Sequence, residues 1–156
     1  MKHPLYVVIG AYGSGKSEYS INLAKSLKEQ SGTDSQISLV DLDVVNPYFR
    51  SRDVRETFEK EGIEVIAPDF QYGHADMPMI SPRVLGAIQD TDRIVILDVG
   101  GDPTGCRAVG RFADAVVKRG YEMYFVINTK RPFTTNVEDI VTMKTMLEYS
   151  SKLKIS

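Results

Sequence analysis

The sequence has a single cysteine, no apolar run approaching the ~20 residues needed to span a bilayer, and no excess of charge: nineteen Lys and Arg stand against twenty-one Asp and Glu. Each shortage excludes something. Cys106 alone cannot close an internal disulfide or furnish a Cys-rich metal site, so the chain reads as a reduced, cytoplasmic protein. The run from Leu5 to Ile9 is too short for a signal-peptide core and leads into glycines rather than a small-residue cleavage site. A formal net charge of -2 provides no field that would hold a polyanion, so direct nucleic-acid binding is disfavoured. Nothing in the pattern indicates direct membrane binding either.

What remains is an ordinary globular composition, 42% apolar and 26% charged over 156 residues, which predicts one domain over residues 1–156 with a real core. Short β-rich runs alternate with segments of helical period. LYVVI (Leu5 to Ile9) enters a glycine-rich turn and then a helix with Tyr19, Leu23, Ala24 and Leu27 on one face, stopped by Gly32. ISLVDL (Ile37 to Leu42) is followed by a short helix around Val54 and Phe58, closed by Gly62 before IEVIA. Ser81 and Pro82 form an N-cap and first-turn pair for a helix carrying Val84, Leu85 and Ile88, which feeds RIVILDV.

Val109, Phe112, Ala113 and Val116 then repeat as one helix ended by Gly120, and YEMYFVIN follows as a buried strand. Thr135 and Glu138 form a capping box for a last helix with Val137, Ile140, Val141 and Leu147 inward. LKIS begins what looks like a sixth strand, so the expected domain lacks C-terminal sheet-edge elements. Near-continuous apolar strands between helices predict a three-layer α/β/α fold with a mainly parallel sheet.

Residues 10–17 read GAYGSGKS: Gly, four residues, Gly, Lys, Ser, placed between an apolar strand and an amphipathic helix. That is the phosphate-loop (Walker A) pattern. Gly10, Gly13 and Gly15 let the backbone wrap, with Ala11, Tyr12 and Ser14 between them, so that successive amides face phosphate oxygens at a helix N-terminus. Lys16 would reach the β- and γ-phosphates, and the Ser17 hydroxyl would hold Mg²⁺. A phosphate loop calls for a second Mg²⁺-directed carboxylate at the end of a buried strand. Asp98 in RIVILDVGG fits, and Gly101 completes a DxxG spacing whose glycine amide can sense a γ-phosphate.

The third block is DLDVVNPYFRSRD, in which Asp41 and Asp43 stand at i and i+2 at a strand end and so point the same way. One would serve the Mg²⁺ outer shell and the other orient an attacking water. Arg50, Arg52 and Arg55 follow, readable either as cations that swing onto phosphate or as ordinary surface charges.

With these blocks, the sequence resembles the SIMIBI class of P-loop NTPases, specifically the CobQ/CobB/MinD/ParA nucleotide-binding group, along essentially its whole length. The resemblance implies that Asp43 positions the hydrolytic water, that Asp41 neighbours Mg²⁺, and that DVGGDPTG (98–105) is Walker B and switch II. The strings NPYFRSRD and DVGGDPTG look like a subgroup of bacterial ATP-binding proteins, which delivers no pathway. Many members carry a signature lysine after the first glycine that reaches a dimer partner's phosphates; here that residue is Ala11. Slow turnover is therefore expected, unless Arg50, Arg52 or a partner substitutes. Tyr12 is bulky for the loop's crown, and packs on a neighbouring element or lines a partner surface.

Weaker signals surround these. Asp69, His74 and Asp76 in the long loop 68–82 are better read as solvated than as metal ligands, and Phe70, Tyr72, Met77 and Met79 as apolar cover for the sheet. NTKRPFT, with Lys130 and Arg131, falls at the nucleotide edge. Cys106 beside Arg107 is a buried hydrophobe or a thiol of lowered pKa, the former preferred. The leading expectation is a Mg²⁺-dependent ATPase (ATP, or GTP) whose nucleotide state acts on a protein partner or homodimer. A small-molecule kinase and a nucleotide-binding module with little hydrolysis are the alternatives.

Overall fold

The computed structural model describes residues 3–32, 35–43, 52–67 and 82–155, with backbone alone for 52–54. Arg50, the capping residue Ser81 and the loop groups Asp69, Phe70, Tyr72, His74, Asp76, Met77 and Met79 lie outside these residues. The element order is β1 (Leu5–Gly10), α1 (Lys16–Ser31), β2 (Gln36–Leu42), α2 (Arg52–Lys60), β3 (Ile63–Ile66), α3 (Pro82–Gln89), β4 (Arg93–Val99), α4 (Pro103–Gly110), α5 (Ala113–Arg119), β5 (Glu122–Val126) and α6 (Val137–Ser151).

The five strands form one sheet in the order β3-β2-β4-β1-β5, every pairing parallel. A parallel sheet must be covered on both faces, and strand alternation sorts the side chains accordingly. Tyr6, Val8, Ile37, Leu39, Ile94 and Ile96 pack with Ala24 of α1 and Phe58 of α2. Val7, Ile9, Val40, Leu42, Leu97 and Val99 pack on the opposite face with residues of α3 to α6, such as Ile88, Val109, Val116 and Leu147. The expected three-layer α/β architecture is the observed one.

Several local details differ from the pattern expected. The helix carrying Val109 to Val116 is two helices: α4 ends at Gly110 and α5 starts at Ala113 after a bend at Phe112. In α3 it is Ala87 that joins Val84 and Ile88 in the core, while Leu85 is exposed. In α6 the cap is Asn136, whose side chain accepts from the Asp139 amide (2.8 Å) and donates to the Asp139 carboxylate (2.7 Å). The inward face is set by Leu147 and Ser151, leaving Val137 and Val141 in solvent. After α6, residues 153–155 form no strand; Leu153 is buried and the Lys154 backbone brackets the Tyr121 hydroxyl. β5 is an outer strand, and Tyr124, Phe125 and Val126 are only partly buried.

At the N-terminal ends of the strands one side chain gathers several elements. Arg119, last residue of α5, donates to the carbonyls of Ala87, Ile88 and Asp90 at the end of α3, of His3 and Pro4 before β1, and of Arg93 opening β4. Helix carbonyls left free at a C-terminus need such donors. Arg93 in turn pairs with Asp90 (2.7 Å) and Glu64 (2.6 Å).

Candidate functional site at the strand C-termini

β1 stops at Gly10 because nothing larger fits: a Cβ there would collide with the Val126 carbonyl of β5 and lie 2.6 Å from Ser14 Oγ. The chain then turns through Gly13 (φ 71°) and Gly15 (φ 93°), left-handed positions that disfavour side chains. The Ser14 amide closes the crown onto the Ala11 carbonyl at 3.1 Å. Gly15 precedes α1 and offers no side chain to its first amides. Those free amides and the positive end of the helix face the hollow of the loop, an arrangement suited to an anion. The hollow is a concavity of about 200 Å³, lined by Tyr12, Gly13, Gly15, Lys16, Ser17, Glu18 and Asp43.

The carboxylates reach it by register. Asp98 on β4 pairs with Val8 of β1 and with Asp41 of β2, so all three point to the face covered by α1. Asp43, just past β2, donates its amide to Asp41 Oδ1 at 2.9 Å, and its Oδ2 accepts from Lys16 Nζ at 3.1 Å. Lys16, Asp41, Asp43 and Asp98 are all buried. Neither Asp98 carboxylate oxygen has a hydrogen-bond partner of good geometry, although the Ser17 and Ser20 hydroxyls lie close enough to act on its charge. Burial pushes its pKa up to about 6, and the Asp43 charge adds to the rise; the Ser17 and Ser20 hydroxyls and the Lys16 ammonium oppose it without prevailing. Ser20 directs its own proton to the Lys16 carbonyl, 2.9 Å away.

An orphaned, buried carboxylate beside a serine hydroxyl is a donor set that fits a hard divalent cation, which takes one or two carboxylates and completes its shell with water and phosphate oxygens. The described residues hold no group of three or more His, Cys, Asp or Glu side chains arranged for a metal. Such a cation would therefore lean on a ligand's oxygens.

Gly101 touches the loop directly: a Cβ there would overlap the Gly10 carbonyl and lie 2.7 Å from Ala11 C and Tyr12 N. Gly100 and Gly105 are equally close-packed, so α4, capped by Asp102 on the Gly105 amide (2.8 Å), springs from the strand end without slack. Cys106 donates its thiol to the Gly100 carbonyl (3.4 Å); burial and the nearby Asp102 push its pKa up to about 12, so the lowered-pKa reading is excluded. Ala11 is buried, whereas Tyr12 is 68% exposed. Arg52 opens α2, and its side chain, like Arg50, falls outside the described residues.

One contributor was not singled out from the sequence, and a second, the NTKRPFT turn, was placed at this edge without its contacts. Ser20, one helical turn after Lys16, is buried beside Asp98; a serine on the inner face of the first helix was the available signal. The turn after β5 is the other: Asn128 Nδ2 reaches the Gly13 carbonyl at 3.5 Å, and buried Thr134 holds that turn shut through the Asn128 carbonyl (2.7 Å).

The fold is similar to that of a nucleotide-binding protein from Archaeoglobus fulgidus in complex with ADP, in which cobalt was found. The TM-score is 0.55 at 16% identity, covering 97% of this chain and 63% of that one. This chain thus spans less than two thirds of that protein's length. No family model and no curated protein matches the sequence, so the likeness is one of fold. No helix among the described residues is long and apolar enough to cross a membrane.

Proposed function

We propose that residues 10–17 bind the phosphates of a nucleoside triphosphate, ATP or GTP, with Mg²⁺, and that the chain hydrolyses it slowly as a nucleotide-dependent switch on a protein partner. The observation that carries this reading is the orphaned Asp98 carboxylate, buried on the face of the sheet that also holds Lys16, Ser17, Asp41 and Asp43. A structural neighbour that binds ADP supports the nucleotide part of it.

In this reading Lys16 and the loop amides neutralise the terminal phosphates, and Ser17 and Asp98 hold Mg²⁺ with Asp41 behind them. When bound, the cation would supply charge neutralisation on the β- and γ-phosphates. Asp43 accepts a proton from the attacking water and orients it. Gly101, in contact with the loop, reports the γ-phosphate to α4. Ala11 supplies no cation, so the rate is low, or Arg50 and Arg52 provide one. Ala11 also favours the second reading, a binding module that scarcely turns over.

The test is titration with fluorescent ATP and GTP analogues, with and without Mg²⁺, alongside phosphate release. Binding that Mg²⁺ strengthens and Lys16→Ala abolishes, with slow phosphate release, is the expected result. Lys16→Ala binding as wild type would reject the site, and phosphoryl transfer to an added metabolite without free phosphate would make the protein a kinase.

A further inference from the structure

We propose that Arg131, in the turn after β5, binds the α-phosphate of the nucleotide from the side of the loop opposite Lys16. The proposal rests on the reading of residues 10–17 as a nucleotide site. Its starting point is a contact. The space where a Cβ of Gly13 would lie is taken by the Arg131 guanidinium, with Nε and Nη2 at 2.9 Å and Cζ at 3.0 Å from it.

That position is built rather than incidental. The turn is latched to the loop by Asn128 Nδ2 on the Gly13 carbonyl. It is closed within itself by the Arg131 amide on the Asn128 carbonyl (3.0 Å), the Lys130 amide on Asn128 Oδ1 (3.0 Å), and the Thr134 hydroxyl on the carbonyls of Asn128 (2.7 Å) and Arg131 (3.2 Å). Phe133, a residue with a large side chain and 74% exposed, is held at φ 68°. Strained backbone kept in place by surrounding bonds is characteristic of ligand clamps. Arg131 itself is exposed, and among the described residues no carboxylate lies within ion-pair distance of it.

Topology decides which phosphate it meets. β1 lies between β4 and β5. Asp98 on β4, with Asp41 on β2 and Asp43 just past that strand beyond it, lies on one side of the loop, and Lys16 leans to that side through its bond to Asp43. The terminal phosphates and the cation belong there. Asp41, Asp43 and Asp98 repel the rest of the phosphate chain from that side, so in this proposal the chain runs toward β5 and passes Gly13. The first phosphate there is the one attached to the nucleoside, and an arginine fork suits its paired oxygens.

The experiment compares Arg131→Met, which keeps the packing stem on Gly13 and removes the charge, with Arg131→Lys and Lys16→Ala, using ATP, ADP, AMP and GTP as probes. Arg131→Met is expected to weaken all four by about the same factor, roughly 10-fold, with Arg131→Lys recovering most of it and the nucleotide-free melting temperature unchanged. Wild-type affinity in Arg131→Met would overturn the proposal. So would a loss confined to ATP and GTP, which places the side chain at the terminal phosphate, or a loss that spares GTP, which places it at the base. If Lys16→Ala abolishes binding while Arg131→Met does not, this proposal alone fails; if neither changes binding, the nucleotide site fails with it.

Discussion

Lys16 Nζ lies 3.1 Å from Asp43 Oδ2, and both side chains are buried. The ammonium expected to meet phosphate and the carboxylate expected to orient water are therefore partners of each other. A phosphate oxygen arriving at Lys16 competes with Asp43, and the carboxylate it displaces stays beside the terminal phosphate, where a water-orienting group is wanted.

The Asp43→Asn variant tests that exchange. Breaking a buried ion pair by removing one partner leaves the other charge uncompensated, so the nucleotide-free protein should lose about 3 kcal/mol. Affinity for Mg²⁺-nucleotide should be at least that of wild type, because the competitor for Lys16 is gone, while phosphate release stops. Melting curves with and without ADP, together with a single-turnover assay, read both effects. Retained turnover would reject the role of Asp43.

Asp98 gives a pH signature. Its folded-state pKa of about 6 stands above the ordinary carboxylate value of 3.8, so the folded protein binds this proton more tightly than the unfolded chain does. The group's stabilising contribution is present below the unfolded value and is lost as pH rises through about 6, leaving a cost of roughly 3 kcal/mol at higher pH. Asp98→Asn should therefore be more stable than wild type by up to ~3 kcal/mol near pH 8, with the gap closing toward pH ~4. Denaturant unfolding without Mg²⁺ or nucleotide measures it; a gap independent of pH would contradict the assignment. The same variant should lose the Mg²⁺ dependence of nucleotide binding.

Gly101→Ala places a methyl group against the Gly10 carbonyl and the backbone of Ala11 and Tyr12. Overpacking of this kind costs about 2 kcal/mol, and here it falls on the loop's shape, so nucleotide affinity should drop roughly 30-fold with the sheet intact. Calorimetric titration and far-ultraviolet circular dichroism separate the two. Unchanged affinity would show that the loop gives way freely at this point.

Arg119→Met removes the donors shared by the end of α3 and the openings of β1 and β4 while keeping the stem. Leaving those carbonyls unpaired should lower stability by about 3 kcal/mol. Nucleotide affinity, measured where the variant is folded, should stay as in wild type, and a loss of affinity would tie the two ends of the sheet together.

Much of this was legible before folding. The loop, Asp98 and the Asp41/Asp43 pair could be placed from sequence because strand alternation fixes facing directions and the glycine spacing fixes the turn. What escaped depends on long-range geometry. No local pattern brings Arg131 to Gly13, since that contact is made by β5 lying beside β1. The inward face of α6 was misjudged because Val137 and Val141 suit a helix core by residue type, while the packing of α4, with Gly110 against the Ser150 carbonyl, selects the face of Leu147 and Ser151 instead. The bend between α4 and α5 was missed for a similar reason, as the apolar period continues across Phe112 although the helix does not.

The Arg119 hub sits at the opposite end of the strands from Lys16 and Asp98, and a strand of six or seven residues separates the two by roughly 20 Å. Substitutions that far apart without shared partners combine additively. Changes around Arg119 can accordingly alter how much folded protein there is without altering what that protein does, and a loss of stability from a change at the Lys16 end can be offset by unrelated stabilisation at the Arg119 end.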